Sequence, residues 1–205
     1  MQIVEKYTSG LKKAYIDNEK NELWEHFENI KHGATKEAIG TIKEKFPAIP
    51  KSFIHLLEYV DGTYGRTYQS EEINVYFLGS DLENFPYFFF SSEQLLNRSD
   101  KNNEEIISNW LAEQIEWQAS VGIPMDDKIT KEPEFVKWLH FADCFNNGGF
   151  SSLYIDFTPS ENGRIGQIVR FLHDPDEFKV IADSFDDYLK MLMNNGYDFI
   201  NIDFF

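Results

Sequence analysis

What most constrains this chain is the stretch spanning residues 138–193, where short apolar segments alternate with turn formers. It begins Trp138-Leu139-His140-Phe141-Ala142-Asp143 and reaches a turn-rich Asn146-Asn147-Gly148-Gly149. Leu153-Tyr154-Ile155-Asp156-Phe157 follows, then a polar turn over 158–163, then Ile165-Gly166-Gln167-Ile168-Val169-Arg170-Phe171. A loop over 173–177 leads to Phe178-Lys179-Val180-Ile181-Ala182 and then to Ser184-Phe185-Asp186-Asp187-Tyr188-Leu189. Segments this short, punctuated by Gly, Pro, Asn and Asp, read as strands. Ser184 reads as a helix N-cap, with Asp186 and Asp187 where a carboxylate favours the helix dipole. Phe185, Tyr188, Leu189, Leu192 and Met193 then share one helical face.

The remainder reads as helices and two further strands. Residues 1–34 are helical and polar with a thin stripe of Tyr15, Leu23, Trp24, Phe27 and Ile30, and Gly33 suits a left-handed C-terminal position. Thr35 caps a second helix with Ala38, Ile39, Ile42 and Phe46 on its apolar face, stopped by Pro47. Pro50 opens a third, in which Phe53, Ile54, Leu57 and Val60 make one face and Asp61-Gly62 the end. Residues 73–78 and 87–90 read as strands, 91–96 as a short helix, 97–103 as a loop, and 104–119 as an amphipathic helix carrying Ile106, Ile107, Trp110, Leu111, Ile115 and Trp117. Strands joined by short turns predict an antiparallel sheet, with segments near 73–78, 139–142, 152–157, 166–172 and 178–182. With helices packed on it, this is an α+β fold in one domain over residues 1–205.

Order and spacing give these features a collective likeness. Trp138 leads a strand, Asp156 ends a hairpin, and Gly163 marks a turn. Gly166-Gln167-Ile168 opens the next strand, and Ser184-Phe185 opens the last helix. Upstream, the helix after Pro50 runs into a turn with Gly62 and Gly65. In these respects the chain resembles the SUKH superfamily, the Smi/Knr-type proteins, with Asp61 where that family often has Asn. Residues 80–135 fit its pattern least and read as an elaboration. The resemblance implies a non-enzymatic protein-binding module. Bacterial relatives look like immunity proteins that bind a cognate toxin, and a fungal relative is tied to control of cell-wall synthesis.

Candidate chemistry is sparse. Cys144 is the single cysteine, so no intramolecular disulfide can form, and it reads as a packed small hydrophobe and not as a nucleophile served by His140. The five histidines form no metal-ligand motif. His173-Asp174-Pro175-Asp176 has too few ligands for a Ca²⁺ loop and reads as a hairpin turn. Residues 146–149 lack the Lys and Ser or Thr of a phosphate loop. No cofactor or metal is expected. Asp143, Asp156 and Asp174 would do acid–base chemistry only if a sheet end brought them together in a pocket that shifts one pKa. With Asp176 they are retained as weak candidates for contacting a partner. The apolar tail, 197–205, either packs on its own domain or docks a partner.

Composition enters at the question of partners. Net charge is −16, with a pI near 4.6. Such a chain repels nucleic-acid phosphates and anionic membranes and attracts a basic partner. The N-terminus has no secretory pattern and no run reaches membrane-spanning length, so the expected location is the cytoplasm. The expected partner is a protein toxin, nuclease-like and basic. Self-association is left open.

Overall fold

The computed structural model describes residues 2–73, 75–83, 85–122, 124–144, 151–173 and 176–200. The turn expected at 146–149, Asp174, and the tail beyond residue 200 lie outside them. The helical N-terminus divides in two. Helix α1 (Gln2–Asp17) buries Tyr7, Leu11, Ala14 and Tyr15, and α2 (Asn21–Ile30) buries Trp24, Phe27 and Ile30. Glu19 between them has a φ of 59°, a left-handed conformation that no continuing helix allows. Gly33 is not a left-handed cap. A Cβ there would stand 1.9 Å from the Glu58 carbonyl oxygen, so the residue is glycine because two backbones meet. Thr35 caps α3 (Lys36–Lys45) as its sequence predicts, accepting from Ala38 N at 3.1 Å. Pro50 stands just ahead of α4 (Lys51–Tyr59), which carries Phe53 into the core.

Strands β1 (Arg66–Tyr68) and β2 (Glu71–Ile73) form a small hairpin. The five-stranded sheet is antiparallel throughout, in the order β3 (Phe88–Phe89), β4 (Trp138–Cys144), β5 (Ser151–Asp156), β6 (Gln167–Leu172) and β7 (Glu177–Ala182). The expected strand at 73–78 does not join it. Ile73 pairs with Arg66 in the small hairpin, and among the other described residues of the segment Leu78 alone makes a bridge, to Tyr87. Leu78 O accepts from Tyr87 N, but three other carbonyls in and just beyond this segment go to side chains. Tyr7 Oη donates to Phe77 O (2.5 Å), Tyr15 Oη to Tyr76 O (2.9 Å), and Tyr188 Oη to Gly79 O (2.7 Å). Buried carbonyls must find donors, and here helix-borne tyrosines supply them in place of a neighbouring strand.

Alternation along the strands divides the sheet into two buried faces. Leu139, Phe141, Leu153, Ile155 and Ile168 pack with the N-terminal helices and with α7 (Phe185–Asn194). Ser184 caps α7 as predicted, accepting from Asp187 N at 3.1 Å. Trp138, Tyr154, Val169, Phe171 and Phe178 point the other way, onto Ile107 and Leu111 of helix α6 (Lys101–Val121). A short helix, α5 (Ser92–Asn97), precedes α6. Asp100 caps α6 by accepting from Asn103 N (2.9 Å), so the helix begins three residues ahead of the first predicted turn. The segment that follows α6 also covers the sheet's last strand: Val180 N donates to Asp126 Oδ2 at 2.9 Å. An edge amide occupied in this way is closed to a stray strand.

Candidate functional site

In a regular strand, residues three apart point to opposite faces. His140 and Asp143 nevertheless point to the same one, because the β4–β5 register slips between His140 and Ala142. Phe141 and Ala142 both enter the first core, and the bulge turns Asp143 back beside His140. The result is a short polar chain. His140 Nε2 lies 2.6 Å from Asp143 Oδ1, and Ser152 Oγ, opposite Asp143 in the ladder, donates to the same oxygen at 2.7 Å. Arg98, just past α5, sets Nη2 3.6 Å from Asp143 Oδ2 and Nη1 3.5 Å from His140 Nδ1. Aromatic rings hold these groups in place: the His140 ring lies 4.9 Å from Phe90 and 4.7 Å from Tyr154, and the Arg98 guanidinium lies 4.3 Å over Phe90.

These groups floor a cleft of about 350 Å³ between β4–β5 and α6, walled by Ile106, Ile107 and Trp110. Burial pushes the Asp143 carboxyl upward, but His140, Ser152 and Arg98 outweigh that and leave it below the ordinary aspartate value. Asp143 is therefore a carboxylate with its hydrogen bonds made. A serine nucleophile needs the base at its own hydroxyl, whereas Ser152 donates to Asp143 and the second nitrogen of His140 faces Arg98. The arrangement suits recognition better than acyl transfer.

The other candidate carboxylates go elsewhere. Asp156 pairs with Trp138 at the far end of the β4–β5 ladder, roughly 13 Å along β5 from Ser152, so Asp143 and Asp156 do not meet. Asp156 accepts from Thr158 N (2.7 Å), the turn role its sequence position suggests, and from Gln167 Nε2 (2.8 Å). Burial pushes its pKa up to about 6, against the pull of those hydrogen bonds. A raised carboxyl pKa adds stability below the unfolded-state value, and that stability is lost as pH rises through about 6. The advantage of the wild type over Asp156→Asn should therefore shrink by about 2 kcal/mol between pH 4.5 and 7, followed by urea unfolding. A pH-independent difference would refute it. Asp176 is half-exposed, 2.7 Å from His173 Nδ1. Cys144 is buried.

Sequence reasoning missed Arg98 and Ser152, and nothing in the residue pattern announced the bulge. It also missed what α6 turns outward. Ile106, Trp117 and Val121 are 44%, 47% and 50% exposed. With Glu113 they fall at intervals of seven, four and four residues, one stripe of the helix. Exposed Glu105 and Glu116 flank it. Ile106 belongs to both the stripe and the cleft wall, so the two surfaces are continuous. Among the described residues no cluster of His, Cys, Asp and Glu could hold a metal ion, and no helix is long and apolar enough to cross a membrane.

No curated protein matches this sequence significantly. The sequence profile of the SMI1 / KNR4 family (SUKH-1) matches residues 33–191, from the connection between α2 and α3 to the last turn of α7. That match spans well over half of the 205 residues and takes in the whole five-stranded sheet, and the chain belongs to the SMI1 / KNR4 family.

Proposed function

We propose that this chain is a bacterial immunity protein that binds and neutralises a cognate nuclease-type toxin through the outer face of α6. Family membership supports a protein-binding role, immune or regulatory in kind. The observation that carries the finer reading is the α6 stripe, where exposed Ile106, Trp117 and Val121 lie beside Glu105, Glu113 and Glu116 on a protein of net charge −16. Apolar anchors with acidic groups beside them complement a basic substrate groove. The aromatic residue supplies buried area at the centre and the carboxylates steer approach. A toxin groove built for phosphates would meet such a surface in place of its substrate.

The test is to identify the product of the neighbouring coding sequence and to follow its association kinetics with this protein. The screening length is about 8 Å at 0.15 M ionic strength, so added salt should slow association strongly and change dissociation less. Trp117→Ala should weaken binding by about 2 kcal/mol, roughly thirtyfold, chiefly through faster dissociation. Glu113→Lys should slow association and flatten its salt dependence. Lys substitutions at exposed acidic residues of α1, such as Glu5, should do neither. A salt-independent on-rate together with a harmless Trp117→Ala would sink this reading. Many weak cellular partners and no toxin would favour a regulatory role.

A further inference from the structure

The cleft under α6 contains a guanidinium that the protein leaves under-used. Arg170 and Arg98 make the contrast within one chain. Arg170 has carboxylate oxygens at 2.6 Å (Asp81) and 2.7 Å (Glu177). The acceptors nearest Arg98 among the described residues stand at 3.5 and 3.6 Å, and its side chain is 37% exposed. A guanidinium has five N–H donors in a fixed fork, so most of those on Arg98 are free to take an acceptor from the cleft. The position is held all the same: Phe90 lies against the guanidinium at 4.3 Å, and His140 Nδ1 stands 3.5 Å from Nη1.

We propose that this cleft is a binding site for a small aromatic carboxylate, its carboxylate on Arg98 and its ring against Ile106, Ile107 and Trp110. Three features select that class. About 350 Å³ falls in the range of small-ligand sites, and the walls are apolar and aromatic. A ligand with no acceptor would dehydrate the Arg98 donors without replacing their hydrogen bonds, an unfavourable exchange. A cationic ligand gains nothing from Asp143: its Oδ1 already accepts twice, and Arg98 stands over Oδ2. A carboxylate on the fork of Arg98 makes charge-assisted, two-point contacts. The site is independent of the toxin reading and would exist in a regulatory protein equally.

The experiment uses the full chain labelled with ¹⁵N, following the Trp110 indole N–H and the Arg98 Nε–H signals. The probes are indole-3-acetate, 3-methylindole and tryptamine, which share a ring and differ in the charge they carry. Indole-3-acetate should shift both signals saturably and bind at least about tenfold tighter than either of the others. Arg98→Met should abolish the preference for indole-3-acetate over 3-methylindole, and Arg98→Lys should retain part of it. Equal or tighter binding of tryptamine overturns the proposal, as does the absence of a saturable shift in the millimolar range. The ranking of the three probes on the wild-type protein decides the matter even if Arg98→Met does not fold.

Discussion

Arg170→Met should lower the unfolding free energy by about 3 kcal/mol, measured by urea denaturation at neutral pH. Arg170 sits in β6 with its side chain 2% exposed, joining Asp81 at 2.6 Å and Glu177 at 2.7 Å, and Lys179 of β7 reaches Asp81 at 2.9 Å. Burial pushes Asp81 up, yet its contacts with Arg170 and Lys179 prevail and leave it below the ordinary aspartate value. Removing the guanidinium leaves a mostly buried carboxylate with one lysine and half-exposed Glu177 with no arginine. The network ties the 75–83 segment to the sheet, so the loss should be felt across the fold. Adding Asp81→Leu to Arg170→Met should recover most of it, since an apolar pair of similar volume often matches a buried ion pair. A single variant within 1 kcal/mol of wild type would show that water already shares the site.

Phe53→Ala should cost about 3–5 kcal/mol, with an unchanged dependence on denaturant. Phe53 is fully buried in α4. Its ring stands edge-to-face against Phe89 of β3 (5.7 Å), Phe141 of β4 (5.7 Å) and Phe185 of α7 (5.2 Å). One side chain therefore joins an N-terminal helix, two strands and the C-terminal helix. Truncation removes transfer energy and leaves a cavity among rigid rings that cannot collapse to fill it. Phe53→Leu, which keeps much of the volume, should cost less than half as much. Equal losses for both variants would place the energy in ring geometry and not in volume.

Residues that act through local rules were legible in the sequence. Thr35 and Ser184 cap helices because a hydroxyl reaches an amide three residues on. Four of the five sheet segments follow from apolar runs bounded by turn formers, and Asp156 closes its turn through Thr158 N. These signals act within a few residues, so one chain read alone contains them. Tertiary partners decided the rest. Residues 73–78 have strand-like composition, but tyrosines from α1 take the Tyr76 and Phe77 carbonyls, and a hydrogen bond across tens of residues leaves no local trace. Gly33 faces Glu58 O and is a matter of packing, not of helix ending.

The site divides along the same line. Sequence by itself determined a family-type sheet, a charge of −16 and acidic residues without a metal or nucleophile motif. Only the tertiary structure brought Arg98, His140, Asp143 and Ser152 together, through a one-residue slip in β4 and the approach of the segment that joins α5 to α6. Only it set Asp143 and Asp156 at opposite ends of one ladder, with opposite pKa shifts. Periodicity along a chain specifies which face a residue occupies. Which distant groups share that face depends on register and on the burial of both partners, and those exist once the layers have packed.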